Sequence, residues 1–343
     1  MKYTKNLLFS LIIVLIPIAC FSAEEDEVHP YEKMQDEYFQ KVKVDFPHIK
    51  NYKTKHFSIN YTMKINKFTK ELPKTLEAFL KLFKKIMAIN SETQVYKGRL
   101  EIYFWEKRSE YLRFSAKFEG FNAGASGGYF TITKMGWPRI NLPLENNSRG
   151  IKGKRARALL VLFHEGTHAL FAKYRTDVRL PTWLNEGLAD YFAFSVIDKY
   201  YRSYKPMINA KKNHMRYIKS GLKSGNLRSF RDLFHQQGTS GGADTGAYAL
   251  GWLSVSYLFK NHKKRFVKFL KSCKDSEVLG ATSSGRVSGR NIKELRANMA
   301  KSHEVKKIEL ESLFKKAFNM GIDKYGKVFY SAIKKSPKLL KSL

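Results

Sequence analysis

A short motif near the middle of the chain has the residue types and the spacing of a metal-binding site. Residues 164–168 read His-Glu-Gly-Thr-His inside an apolar run. On an α-helix, residues four positions apart lie about 40° apart around the axis, so His164 and His168 face one point in space and can bind the same metal ion. Glu165 lies about 100° from His164, within reach of a water molecule at that point without being a ligand itself. The alternative is a pair of histidines packed on a helix that holds no metal.

The sequence predicts a third metal ligand on the next helix, together with a carboxylate that orients one of the ligand histidines. Catalytic zinc sites take three protein ligands and keep one position open. Glu186 follows His168 by 18 residues, in a segment in which Pro181 precedes apolar residues at helical spacing. Asp190 is four residues further on the same helix face, where its carboxylate can accept the second N–H of a ligand histidine, with His164 the first candidate. An ordinary exposed acidic face is the alternative for both acids.

The two motifs together resemble the gluzincin clan of zinc metallopeptidases, which includes thermolysin, and they are most similar to its bacterial peptidase MA-like members. In that family the second helix carries an Asn-Glu pair and an acid four residues later, which Asn185, Glu186 and Asp190 match. The resemblance covers about residues 55–275. The interval between His168 and Glu186 is slightly shorter than in thermolysin-like enzymes, which leaves the identity of the ligands unchanged.

The resemblance implies an enzyme that hydrolyses peptide bonds. We expect one Zn²⁺ per chain, held by His164, His168 and Glu186, to acidify a water molecule that attacks the scissile carbonyl of a peptide or protein substrate. Glu165 is the expected general base, which takes the proton of that water and returns it to the leaving amine. Gluzincins add a Tyr or His donor that stabilises the oxyanion, and Tyr248 is the candidate here, with an ordinary core tyrosine as the alternative.

Two further features of the site, a second oxyanion candidate and a substrate-binding segment, are predicted only by this resemblance. His235 is a second candidate for the oxyanion donor, and the alternative for it is a surface residue.

In this clan an edge strand pairs with the extended substrate through backbone hydrogen bonds. The segment 124–129 has little side-chain bulk to block such an approach, so Ser126, Gly127 and Gly128 are the predicted substrate-binding residues. A glycine-rich turn without contact to substrate is the alternative.

The first 23 residues have the pattern of an export signal. Lys2 and Lys5 precede an apolar run over residues 7–18, and small residues follow. The run is shorter than the roughly 20 residues that span a bilayer, so a retained membrane anchor is the lesser alternative. Cleavage near Ala23 would give a secreted or periplasmic protein. Cys20, by contrast, stands where a bacterial lipobox carries its acylated cysteine, so a lipid-anchored protein is the second interpretation.

The charge of the chain favours anionic partners outside the cell. The net charge is +33, of which the first 23 residues contribute two lysines. An anionic cell-envelope polymer or a membrane surface is therefore a candidate partner, against the alternative of a merely well-solvated surface. No recognisable nucleic-acid motif accompanies the charge. A second functional interpretation follows, in which the chain is a catalytically silent zincin-fold binding protein that uses its basic surface; the intact Glu165 argues against it.

The patterning of apolar residues predicts an α+β, zincin-like fold. Period-two alternation predicts strands near 57–63, 99–105, 127–133 and 137–144, with a helix over 66–89 between the first two. After residue 153 the pattern is helical almost to the end of the chain. The predicted organisation is a signal peptide (1–23), a linker or N-terminal arm (24–53), an N-terminal sheet subdomain (54–153), a helical catalytic subdomain (154–275) and a basic helical C-terminal extension (276–343).

Overall fold

The computed structural model of the protein describes residues 30–64, 67–90, 98–144, 151–200, 205–236, 245–280 and 292–335. The predicted export signal, including Cys20, lies outside these ranges. No helix within them has an apolar stretch long enough to cross a membrane. In chain order the elements are α1 (Pro30–Asp45), β1 (Lys50–Lys53), β2 (Phe57–Tyr61), α2 (Lys67–Met87), β3 (Leu100–Trp105), α3 (Arg108–Glu119), β4 (Tyr129–Ile132), β5 (Pro138–Pro143), α4 (Ile151–Lys173), α5 (Thr182–Tyr200), α6 (Lys205–Ser224), α7 (Phe230–Phe234), α8 (Thr245–Asp275), α9 (Glu277–Gly280), α10 (Ile292–Phe318) and α11 (Ile322–Lys335).

The strands form one mixed sheet in the order β1-β2-β3-β5-β4. The three inner strands are parallel and in register, with Ile59 beside Ile102 and Ile102 beside Ile140. β1 and β4 pair antiparallel at the two edges. A sheet followed by a mainly helical C-terminal part confirms the predicted α+β class, and it leaves β4 as the edge strand beside the helices that carry the central motif.

The sheet is covered on both faces, because alternate residues of its central strand point to opposite sides. Leu100, Ile102 and Phe104 of β3 pack into the large core that also contains α2 and α4. Tyr103 and Trp105 point the other way, into a smaller aromatic core shared with α1 and α3. The smaller core fixes the sheet from behind, so that its other face can support α4.

Helix α5 lies between α4 and α8 and is the most enclosed helix of the described part of the chain. It is apolar on nearly all sides, and Leu184, Leu188 and Phe192 are fully buried. Its close approach to α8 depends on two glycines. A Cβ at Gly187 would lie only 2.5 Å from the carbonyl oxygen of Gly251, so the two backbones are in direct contact there. This crossing fixes the position of the residues that flank Gly187 on α5.

The predicted arm at 24–53 is corrected by the structure in its described part. That part contains helix α1 and edge strand β1. Within α1 only Gln35 and Val42 are fully buried, and Phe46 follows them into the smaller core. Because α1 buries only a narrow stripe of side chains, the apolar residues of its sequence show no clear helical period. The helix is therefore recognised only from its contacts with the sheet.

The C-terminal extension also differs from the prediction, because it is part of the main core. Phe314 of α10 and Phe329 of α11 are completely buried there, beside Phe230 of α7. Its last two helices are separated at Asn319, whose φ of 55° is left-handed and ends α10.

Replacement of Gly187 by alanine is expected to destabilise the fold by about 1–3 kcal/mol or more, because the added methyl group meets backbone atoms that cannot rotate away. The measurement is the free energy of unfolding in urea. Gly321→Ala is the control for steric contact, since nothing lies within 4 Å of a Cβ built there; because Gly321 precedes α11 as its N-cap, we expect a loss of at most about 1 kcal/mol. Equal stabilities for the two variants would contradict the close helix crossing.

Candidate metal centre

Helix α4 presents the central motif with one face against the core and the other toward a cavity. Phe163 is completely buried. Gly166 passes close to α2, where a Cβ would lie 3.0 Å from the ring of Phe79, so the middle of the motif faces inward. His164 and Glu165 are partly exposed and line the cavity. The sequence achieves this because the helical period places Gly166 opposite His164 and His168.

Three potential ligand atoms converge at the floor of the cavity. The Nε2 atoms of His164 and His168 are 3.2 Å apart. The Oε2 atom of Glu186 is 3.3 Å from the first and 3.6 Å from the second. Ligands at 2.0–2.1 Å in a tetrahedral metal site are about 3.3–3.4 Å from one another, so all three separations fit. An N–H···N bond between the imidazoles would explain one of these distances, but not the approach of the carboxylate to both rings.

This set of residues stands out from the rest of the described chain. No other group of three His, Cys, Asp or Glu side chains in the described ranges is arranged so that it could hold a metal ion. The Oε2 atom of Glu186 is buried and has no hydrogen-bond partner there. A buried carboxylate oxygen without a donor is costly unless a cation satisfies it. The residues therefore fit a metal ion by donor type, by distance and by this unsatisfied oxygen.

Electrostatic interactions at the site favour charged carboxylates beside the imidazoles. Burial by itself raises the pKa of Glu186, but the neighbouring His164 and His168 outweigh it and lower that pKa well below its ordinary value. Burial lowers the pKa of His164, and interactions with Asp190 and Glu186 reverse this and raise it well above the usual range. The carboxylates thus favour positive charge in this pocket.

Asp190 orients the first histidine from the adjacent helix. Its Oδ1 atom lies 2.9 Å from Nδ1 of His164, and the carboxylate is almost fully buried. An Nδ1–H that donates to this carboxylate leaves the lone pair of Nε2 directed at the cavity floor, which is the tautomer a metal ligand needs. α5 therefore contributes both Glu186 to the ligand set and Asp190 behind it, one helical turn apart.

Glu165 faces the same cavity without joining the ligand cluster. Burial raises the pKa of its carboxyl group, while the nearby His164 and His168 oppose that rise. The backbone amide of Phe130 on edge strand β4 also favours its charged form. The carboxylate thus lies between the ligand histidines and the sheet edge, where a general base for a water on the cavity floor would have to be.

The cavity is an open cleft of about 870 Å³ between the sheet edge and the connection from α4 to α5. One wall is β4 and the turn after it, and the other is the segment that runs from the end of α4 to the start of α5. The lining residues are Phe130, Thr131, Ile132, Gly136, His164, Glu165, His168, Phe171, Ala172, Lys173, Asp177, Val178, Arg179, Leu180, Thr182, Asn185, Glu186 and Tyr248.

Of the two predicted oxyanion donors, the structure places one at the cleft. Tyr248, in the first turn of α8, lines the cavity, and its ring centroid is 6.3 Å from that of His164. His235 ends α7 outside the cavity lining, where its Nε2 is 2.7 Å from Oε1 of Glu311. The geometry therefore brings Tyr248, and not His235, to the predicted site.

The predicted substrate-binding segment is displaced by a few residues. None of Ser126, Gly127 and Gly128 lines the cavity. A Cβ at Gly128 would lie 2.5 Å from Leu142 and 2.7 Å from Val161, so this glycine allows the chain to pass between the sheet and α4. The absence of a side chain at Gly128 therefore allows close packing against Leu142 and Val161. The edge-strand residues that reach the cleft are 130–132.

The structure also contains a site residue that sequence reasoning missed. His214 of α6 lies with its Nε2 2.8 Å from Oδ2 of Asp190. The two residues are 24 positions apart in the chain, and α6 reads as an ordinary lysine-rich amphipathic helix. No local motif marks His214, because its role depends only on which helix α6 packs against.

The wall opposite β4 is anchored by a buried lysine. Lys274, near the end of α8, is fully buried, and its Nζ donates to the carbonyl oxygens of Phe171 and Val178. The hydroxyl of Thr176 donates to the carbonyl of Lys274, and Arg175 pairs with Asp275. The last carbonyls of α4 and the segment that lines the cleft are thereby held on α8.

Stability should show a distinct pH dependence from Lys274, because burial lowers its pKa to about 8. Between about pH 8 and pH 10 the unfolded lysine still binds a proton that the folded one has lost, so its contribution to stability rises with pH, by up to about 1.4 kcal/mol per unit. The measurement is urea unfolding of wild type and Lys274→Met across this range. The exposed Lys268→Met on the same helix is the control, and a constant difference between wild type and Lys274→Met would contradict the assignment.

Comparison with known families is consistent with a site carried by these helices. Residues 159–280 match a family described as a protein of unknown function, DUF1570. No curated protein matches the chain. The matched segment contains both candidate ligand histidines, Glu186 and Asp190, as well as His214, whereas the sheet and the last two helices lie outside it.

Proposed function

We propose that this chain is a zinc-dependent peptidase of the gluzincin type, with His164, His168 and Glu186 as metal ligands. The observation that carries the proposal is the convergence of two Nε2 atoms and one carboxylate oxygen at 3.2–3.6 Å from one another. Two imidazoles and one carboxylate form a donor set typical of catalytic zinc, which keeps a fourth position for water or substrate. The open cleft above the three atoms leaves room for that position.

The residues around the ligands have separate tasks in hydrolysis. A bound Zn²⁺ would supply Lewis acidity, which makes a water more acidic and polarises a carbonyl. Glu165 takes the proton of the attacking water and delivers it to the leaving amine. Asp190 holds His164 in the ligating tautomer. The hydroxyl of Tyr248 donates a hydrogen bond to the oxygen of the scissile carbonyl as negative charge develops there.

The edge strand β4 is the proposed substrate-binding strand. Among the described residues β5 is its strand neighbour, so the other side of its backbone faces the cleft. An extended peptide can add to such an edge through main-chain hydrogen bonds. Residues 130–132 lie in the cleft lining beside Glu165, which places a peptide bound there within reach of the base.

The proposal also includes export, which rests on the pattern of residues 1–23 alone. A secreted, periplasmic or lipid-anchored peptidase would work on peptides or proteins outside the cytoplasm, and the basic surface would favour contact with anionic polymers or membranes. A silent binding protein has no use for a carboxylate beside its metal ligands. The position of Glu165 in the cleft therefore favours the enzyme.

Glu165→Gln is the decisive variant. We expect purified wild type and variant, both without residues 1–23, to contain about one zinc ion per chain, while kcat on a peptide library falls by about 10²–10⁴-fold in the variant. Metal analysis and product mass spectrometry measure the two quantities. The exposed Glu37→Gln on α1 is the control. Equal cleavage by wild type and Glu165→Gln would refute the base, and a wild type that binds no zinc would refute the proposal as a whole.

Tyr248→Phe separates an oxyanion donor from a packing tyrosine. If the hydroxyl stabilises the transition state, kcat falls by about 10²–10³-fold with little change in KM. Tyr257→Phe, buried further along the same helix and away from the cleft, is the matched control. Equal activities of Tyr248→Phe and Tyr257→Phe would contradict the oxyanion role and indicate that Tyr248 only packs in the core.

A further inference from the structure

Asp190 connects three helices through its two carboxylate oxygens. Its Oδ1 is 2.9 Å from Nδ1 of His164 on α4, and its Oδ2 is 2.8 Å from Nε2 of His214 on α6. Only 7% of Asp190 is exposed, so water has little access to either oxygen. Each oxygen therefore has one ring N–H as its donor, and the direction of the carboxylate toward His164 depends on the donor on its other side.

Aromatic packing holds His214 in the orientation this contact needs. Its ring is 5.6 Å from that of Phe194, in an edge-on arrangement, and 5.8 Å from that of Trp252. Ile218, one turn later on α6, is completely buried. α6 thus turns a narrow stripe inward, and His214 is the member of that stripe that reaches the buried carboxylate.

We propose that His214 is a positioning residue of the metal centre, which acts through Asp190 to aim His164 at the ion. The inference rests on the proposed function, since it concerns the ligand geometry of that site. Partners behind a metal ligand fix the plane of its ring and its tautomer, and their loss weakens metal binding. Without the His214 donor, the carboxylate of Asp190 would be free to rotate away from His164.

A purely structural role for His214 makes a different prediction. A buried carboxylate oxygen without a donor costs stability wherever it lies, so loss of His214 would lower the unfolding temperature and leave metal affinity and ligand geometry unchanged in the folded protein. A positioning role changes the affinity and the coordination geometry. The distinguishing measurement is therefore metal binding by folded protein, and not stability or activity.

The test is Co²⁺ titration of metal-free protein, followed by the visible absorption of the bound ion and by competition with a chelator. His214→Phe keeps the ring volume and removes the donor, and we expect it to weaken Co²⁺ binding by about 10-fold, the lower end of the effect of removing partners behind a ligand. Its absorption spectrum should differ from wild type. His214→Gln, whose amide reaches about as far as Nε2, should retain the wild-type spectrum and affinity.

His235→Phe is the matched control. Its side chain has the same exposure of 14% as that of His214, and its Nε2 also binds a carboxylate, Glu311, outside the cleft. We expect its Co²⁺ affinity and spectrum to equal those of wild type. An equal loss of affinity in His235→Phe and His214→Phe would overturn the inference.

The outcomes separate this inference from the proposed function. Wild-type affinity and spectrum in a folded His214→Phe would overturn the positioning role and leave the metal centre intact. A wild type that binds neither Co²⁺ nor Zn²⁺ would overturn both. If His214→Phe does not fold, His214→Asn takes its place, because its amide is too short to reach Asp190; equal Co²⁺ affinities of His214→Asn and His214→Gln would then overturn the inference.

Discussion

The structure around the cleft depends on the need of buried carboxylates for positive or hydrogen-bonding partners. Glu186 and Asp190 project from α5, a helix that is otherwise apolar and enclosed. In the described part of the chain, the ion-pair partners of both are histidines, which α4 and α6 supply. Withdrawal of two negative charges from water is costly unless such partners are close. The same requirement that holds three helices together also leaves an arrangement of Nε2 and carboxylate oxygen atoms that suits a metal ion.

Packing of the backbone makes that arrangement possible. The contact of Gly187 with Gly251 brings α5 and α8 together next to Glu186, and Tyr248 lies one turn before Gly251 on α8. Lys274, at the other end of α8, holds the wall that contains Val178. α8 is kinked at His262, so its first segment positions the candidate donor and its second segment secures the rim of the cleft.

The two halves of the cleft have different origins in the chain. The segment 159–280, which matches the family of unknown function, supplies the ligand helices and the rim. The sheet lies outside that segment and supplies edge strand β4, whose residues 130–132 face the ligands. In the proposed peptidase the helices would carry the chemistry and the sheet would hold the substrate. Such a division lets substrate preference vary with the sheet edge while the ligand set stays the same.

Sequence alone determined the features that depend on short-range periodicity. The spacing within 164–168 places two histidines on one helix face, the interval from Glu186 to Asp190 does the same for two acids, and period-two alternation marks strands β2 to β5. Only the tertiary structure decided that α6 supplies the second partner of Asp190. It also decided that Gly128 packs against Leu142 and Val161 and does not line the cleft, and that α1 packs on the sheet. These depend on contacts between residues far apart in the chain, for which no local pattern exists, because the hydrophobic effect that forms them favours burial without specifying a partner.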